Sequence, residues 1–200
     1  MIDKTSFDYS DFANYLGISE STSNYSTNTG NGAYGKYQFL PGTIQEVANY
    51  LGVSNPDLNT FLLTPTLQEQ FYQGFVSLII DTLNNQNMDS LYDGSSITGA
   101  SNGITTTINQ YGLVGGGWLG GQNAPYNLLV LGNDPADSNG THVSDYIAKF
   151  SADFNSATKK SSSPVVTTSF NSDVTALISF ITIELNNISK SYSALNSALL

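Results

Sequence analysis

Cysteine is absent from the 200-residue chain, and histidine occurs once, as His142. No disulfide framework and no thiolate metal site can therefore form, and a histidine-based metal cluster is excluded as well. No metal or other cofactor is expected. The absence of cysteine does not reveal the compartment. Basic residues are scarce too: six Lys and Arg stand against 16 Asp and Glu, giving a net charge of -10 and a pI near 4.1. Sequence-independent binding to nucleic acid needs clustered cations that displace counterions, so that partner is excluded. The adjacent pair Lys159 and Lys160, in SATKKSSSP, reads as the solvation of a linker.

Charged residues of both signs make up 11% of the chain, against about 25% in an ordinary soluble domain. Ser, Thr, Asn and Gly supply the surface polarity instead, so most loops are uncharged. The opening MIDKTSFDYSDF has no apolar run after Lys4 and does not read as a Sec-type signal peptide. Work outside the cytosol would need another export route or a signal already removed. No stretch reads as membrane-spanning.

What is present is helical periodicity. In FDYSDFANYLGIS, Phe12, Tyr15 and Leu16 share one face, predicting a short helix that runs up to Glu20. Ser21 to Tyr34 is turn chemistry, a loop or small hairpin with Asn-Thr-Gly-Asn-Gly at 28 to 32. In IQEVANYLG, Ile44, Val47 and Leu51 form a stripe, with Thr43 as N-cap, Glu46 completing a capping box, and Gly52 closing the helix. A third helix is expected over residues 66–84, with Leu67, Phe71, Phe75, Leu78 and Ile79 facing the core. ITTTINQYG reads as another helix, followed by the glycine cluster GGGWLGG and a short apolar segment, APYNLLVLG. The glycines lack the setting and the Lys of a phosphate loop.

The domain is expected to end near residue 155. A Ser/Thr-rich linker follows over 156–170, and then an amphipathic helix over 171–200. Its apolar positions 174, 178, 181, 185, 188, 192, 195 and 199 repeat every 3.5 residues, as in a coiled coil, a docking helix for a protein partner, or a helix folded back on its own domain.

Four glutamates are available: Glu20, Glu46, Glu69 and Glu184. The last three sit on predicted helical faces, as caps or solvated positions. Glu20 differs, because it ends a helix and borders a loop of amides, hydroxyls and aromatics, the groups that hold sugars. At a helix C-terminus, in a closed site, its pKa should rise, which suits the general acid of glycoside cleavage.

Glu20-Ser21, Asn24, Gly32-Ala33, Gly35, Gln38 and Phe39-Leu40-Pro41-Gly42-Thr43 resemble the E-S-x-x-N, G-A-x-G-x-x-Q and P-x-T signature of lytic transglycosylases in the lysozyme-like superfamily. Gly35 follows Glu20 by 15 positions, as it does there. GITTTINQYGLVGGGWLGGQ and NDPADSNGTHVSDYIAKF look like the C-terminal half of phage-tail and secretion-associated muramidases, so the resemblance spans roughly residues 7–152. Lys36-Tyr37 stands where the family carries Leu-Met, and Asn109-Gln110-Tyr111-Gly112 where it carries A-Y-N-A-G, which makes this a divergent branch.

The resemblance implies a mainly α, lysozyme-like domain with at most a small hairpin, cleaving the MurNAc-GlcNAc β-1,4 bond of peptidoglycan glycan strands. Glu20 would be the catalytic acid and then base, activating the substrate's own C6 hydroxyl. Ser21 would bind substrate or brace Glu20, Gln38 would line the sugar cleft, Tyr146 would hydrogen-bond near the carboxylate, and Tyr37 and Tyr111 would be further substrate contacts. The plainer readings are a capped turn for Ser21, backbone satisfaction for Gln38 and core packing for Tyr146. Asp134 and Asp137 could serve as the second carboxylate of a hydrolytic lysozyme, though NDPADSNG reads first as turn-forming. Two other functions stay open: a non-enzymatic glycan-binding or structural module on this fold, and a chitinase or chitosanase, whose cationic polymer would suit the acidic surface. The implied place of action is the periplasm or cell wall, reached with a phage particle or through a secretion apparatus.

Overall fold

The computed structural model describes residues 1–160 apart from residues 29 and 31, with side chains described as far as Asn155. The amphipathic segment expected over 171–200, and the linker beyond residue 160, lie outside the described residues. Residues Met1–Ala157 form one compact unit.

The unit is mainly helical. Helix α1 (Tyr9–Ser21) starts where the Asp8 side chain accepts the N–H of Asp11, and it ends at Thr22 in the left-handed conformation. Its buried face is Phe12, Ala13, Leu16 and Gly17, so the expected helix up to Glu20 is present. Helix α2 (Pro41–Leu51) ends at left-handed Gly52, as expected, but its start differs from the expected capping box. Pro41 occupies the first helical position after an extended Leu40, and no side chain caps the end. Proline has no N–H to satisfy and presets the helical φ, so the helix begins ahead of Thr43. Thr43 and Glu46 are thereby one turn apart on a helix face, free of capping duty.

A short helix α3 (Leu58–Leu63), capped by Asp57, leads into α4 (Pro65–Asn85). Helix α4 is the centre of the core: Phe71, Tyr72, Phe75, Val76, Ile79, Ile80 and Leu83 are buried against neighbouring helices. Truncating any of its large apolar side chains to Ala costs about 2–5 kcal/mol in such a setting. Helix α5 (Met88–Tyr92) follows, and then strands β1 (Ser96–Thr98) and β2 (Thr105–Thr107) pair antiparallel, with Ile97 opposite Thr106.

That hairpin corrects one expectation. ITTTINQYG is not a helix. Its β-branched Thr105–Thr107 run favours an extended chain, and the Gly99–Gly103 turn folds it back. The next helix, α6 (Gln110–Gly120), is built from the glycine cluster itself, after Asn109 caps it by accepting the N–H of Gly112. Intrinsically poor helix formers are tolerated there because packing requires them. A Cβ on Gly112 would overlap the Ser151 hydroxyl and come within 2.6 Å of the Ile147 carbonyl, and one on Gly117 would come within 2.6 Å of Ile79.

Helix α7 (Ala124–Leu129) covers the expected apolar segment, and α8 (Val143–Lys160) closes the unit. Helix α8 continues past residue 155, into the start of the stretch expected as linker. Among the described residues, no helix is long and apolar enough to cross a membrane.

Candidate functional site

A cleft of about 1190 Å³ opens between the end of α1, the loop before α2, one face of α2, the C-terminal half of α6, the hairpin turn and the start of α8. Glu20 lines it, half-buried. Burial pushes the Glu20 carboxyl above its ordinary pKa; the hydrogen bond from Tyr146 and the Lys149 ammonium pull it back in part, and Asp137 pushes it up again. The Tyr146 hydroxyl donates to Glu20 Oε1 at 2.7 Å. Burial, and next the charge of Glu20, raise the Tyr146 phenol, so it stays protonated and remains a donor.

Ala33, Gln38, Phe39 and Leu40, from the loop that joins α1 to α2, form another wall, and the shape of that loop depends on strained backbone. Thr22, Ser23 and Gln38 all have positive φ without being glycine. Single bridges join Asn28 to Tyr34 and Tyr34 to Phe39, the remnant of a hairpin. Glu69 on α4 anchors this loop and is not the solvated position expected: it accepts from Tyr25 at 2.5 Å and Tyr37 at 2.8 Å, and pairs with Lys36 at 3.0 Å. The buried Lys36 ammonium also lies 4.7 Å from the centre of the Tyr37 ring. Gln68 adds a second tie, accepting the Lys36 N–H at 2.9 Å.

The tip of the β1–β2 hairpin is fixed by Asp145. Its carboxylate accepts the N–H groups of Ser101, Asn102 and His142, each within 2.9 Å, and the Ser101 hydroxyl. Burial alone would raise this carboxyl, but the donors outweigh it and hold the pKa at about 2. Asp134 caps the start of α8 through Ser144, accepting its N–H at 3.0 Å and its hydroxyl at 2.6 Å. Asp137 accepts the N–H groups of Asn139 and Thr141, so both aspartates make turns, although Asp137 also lines the cleft.

Of the six residues singled out from sequence, the fold brings Glu20, Gln38 and Tyr146 to the cleft. Gln38 Nε2 also donates to the Gly35 carbonyl at 2.9 Å, so it both faces the cleft and ties its own turn. Ser21 turns into the loop, where its hydroxyl donates to the Lys36 carbonyl at 2.7 Å. Tyr37 is fully buried, stacked on Tyr72 at 4.6 Å with its hydroxyl on Glu69, which places it in the core behind the cleft wall. Tyr111 stacks on Phe154 at 3.9 Å and accepts the Asp8 N–H at 3.3 Å, outside the cleft lining.

Sequence reasoning missed Trp118, Glu46, Asn102 and Lys149 on the cleft walls. Trp118 carried a signal, as the single tryptophan set inside a glycine run. Glu46 was hidden by its apparent capping box. Asn102 and Lys149 carry no local pattern, because hairpin and helix pairing bring them in. Among the described residues, no group of His, Cys, Asp and Glu is placed to hold a metal ion.

Comparison with known proteins finds no matching family, no matching curated sequence and no matching solved structure. The chemistry of the cleft therefore carries the functional reading: a carboxyl biased towards its protonated form, held by a phenol, in a groove with apolar and hydrogen-bonding walls.

Proposed function

We propose that this protein is a peptidoglycan-cleaving muramidase of lysozyme-like fold, cutting the MurNAc-GlcNAc β-1,4 bond as a lytic transglycosylase with Glu20 as its single catalytic carboxyl. The observation that supports this best is the Glu20 carboxyl itself, raised in pKa by burial and oriented by Tyr146 in a cleft large enough for sugar units.

In the first step Glu20 gives its proton to the glycosidic oxygen as the C1–O bond breaks. The departing GlcNAc unit leaves with a hydroxyl, and MurNAc develops oxocarbenium character. Glu20, now a carboxylate, then takes the proton of the MurNAc C6 hydroxyl as that oxygen bonds to C1. The product is a 1,6-anhydro sugar, and the acid is regenerated without water. The two backbone N–H groups that Asp137 Oδ1 accepts in its own turn give that carboxylate a structural role, which supports the one-carboxylate route over hydrolysis. Gln38 lines the cleft, and the Glu69 anchor keeps that wall in place. The site of action is the cell wall or periplasm.

Digestion of purified sacculi followed by mass spectrometry of the products tests this. Anhydro-MurNAc ends are expected, and Glu20→Gln should lower their release by at least about 100-fold, the scale of general acid-base catalysis. Reducing MurNAc ends would replace the transglycosylase with a lysozyme. Undiminished turnover by the variant would remove Glu20 from the chemistry, and no products at all would leave a glycan-binding module.

A further inference from the structure

Helix α2 turns Thr43 and Glu46 into the cleft, one turn apart, on a wall separate from the Glu20–Tyr146 pair. Glu46 is held in place across the fold: Gln122 Nε2, beyond the end of α6, donates to Glu46 Oε1 at 2.8 Å. That bond uses one carboxylate oxygen and one of the two N–H groups of the amide. The second Glu46 oxygen has no partner among the described residues, so the carboxylate keeps an acceptor free on the cleft wall. Nearby, Trp118 lines the cleft half-buried, and its indole N–H has no acceptor among the described residues.

The charges around the cleft sharpen this further. Lys149 is the one cation among the described residues that line it, and it acts on Glu20. Lys36 is committed to Glu69. The Asp145 carboxylate is already filled by backbone N–H and hydroxyl donors, and Asp137 Oδ1 accepts two backbone N–H groups of its own turn. Among the described residues, Glu46 is thus a cleft carboxylate fixed by a neutral amide, with no cation to neutralise it and an oxygen to spare. A ligand that brings an ammonium group supplies both the missing donor and the missing charge. An N-acetylated sugar brings only a neutral N–H.

We propose that Glu46, positioned by Gln122, is a specificity-determining residue that selects glycan strands carrying a free amino group, that is, de-N-acetylated glucosamine, over fully N-acetylated strands. The inference rests on the proposed glycan-cleaving function of the same cleft.

The test uses one batch of sacculi, divided into chemically N-acetylated and partly de-N-acetylated halves, with wild-type protein, Glu46→Gln and Gln122→Met. Wild type should turn over the de-N-acetylated half about tenfold more efficiently, the worth of one charge-assisted hydrogen bond. Glu46→Gln keeps the shape of the side chain and should erase that preference while retaining turnover of the acetylated half. Gln122→Met, which frees Glu46 to move, should reduce the preference. Binding gives a readout without catalysis: Glu20→Gln protein should bind a glucosamine tetramer more tightly than an N-acetylglucosamine tetramer by calorimetry, with the difference shrinking as salt is added. Equal turnover of both halves by wild type, or an unchanged preference in Glu46→Gln, would overturn the inference and leave the muramidase reading standing. Failure of wild type to release products from either half, with neither tetramer bound, would overturn the muramidase reading itself.

Discussion

Tyr146 and Glu20 are 126 positions apart in the chain, and the Tyr146 hydroxyl lies 2.7 Å from Glu20 Oε1. The bond sets both the direction and the protonation balance of the carboxyl, because a donor favours the charged form whereas burial disfavours it.

Removing that donor should therefore raise the Glu20 pKa further. In Tyr146→Phe, NMR titration of the Glu20 carboxyl should show a midpoint above that of wild type. The alkaline limb of the pH profile for muropeptide release should move upward with it, while maximal turnover falls by about tenfold or more through lost orientation. A midpoint unchanged or lowered would show that the phenol does not tune the acid.

Glu20 should also cost stability at neutral pH. Its folded pKa lies above its unfolded value, so the folded state binds the extra proton. The stabilisation is fully present below the unfolded pKa of about 4.3 and is lost as pH rises through the folded value. Glu20→Gln, which never ionises, should melt at a higher temperature than wild type near pH 7, and the two curves should converge near pH 4. Melting temperatures across that range would decide it, and a variant less stable at pH 7 would contradict the sign.

Asp145 behaves in the opposite sense. Its folded pKa of about 2 lies below the ordinary carboxylate value, so its contribution is present above pH about 4 and is lost as pH falls through about 2. Asp145→Asn should destabilise the fold by about 2 kcal/mol near neutral pH, the scale of hydrogen bonds to a charged group. Urea denaturation should show this gap closing in acid. Because Asp145 holds the turn that carries Ser101 and Asn102, hydrogen exchange there should quicken in the variant.

Two glycine substitutions should differ in sign. Gly112→Ala would drive a Cβ against the Ser151 hydroxyl and the Ile147 carbonyl, costing about 2 kcal/mol despite the better helix former. Gly42→Ala, in α2, meets nothing within 4 Å and should stabilise by up to about 1 kcal/mol. Thermal denaturation of the two variants checks the pair, and a stabilising Gly112→Ala would mean that α6 and α8 are not in close contact.

Much of the helical architecture was legible locally. The periodic stripes of α1, α2 and α4 follow from 3.6-residue spacing, and Gly52 ends α2 because only glycine adopts the left-handed turn cheaply. The hairpin and α6 were misread for one reason: threonine and glycine runs have weak local preferences, so their conformation is decided by what packs on them. Gly112, Gly116 and Gly117 are helical because α8 and Ile79 leave no room for side chains. Tyr37 and Tyr111 likewise carried chemistry in their residue type, but the fold spent them on Glu69, Tyr72 and Phe154.

By itself, the sequence determined a mainly helical chain, a lone glutamate at a helix end beside a glycine-bearing loop, and a charge balance hostile to nucleic acid, since periodicity, turn chemistry and net charge are local or summed properties. Only the tertiary structure decided which groups meet that glutamate. Tyr146 on its carboxyl, Glu69 beneath its loop and Glu46 across the cleft are long-range relationships, set by how the helices pack around α4.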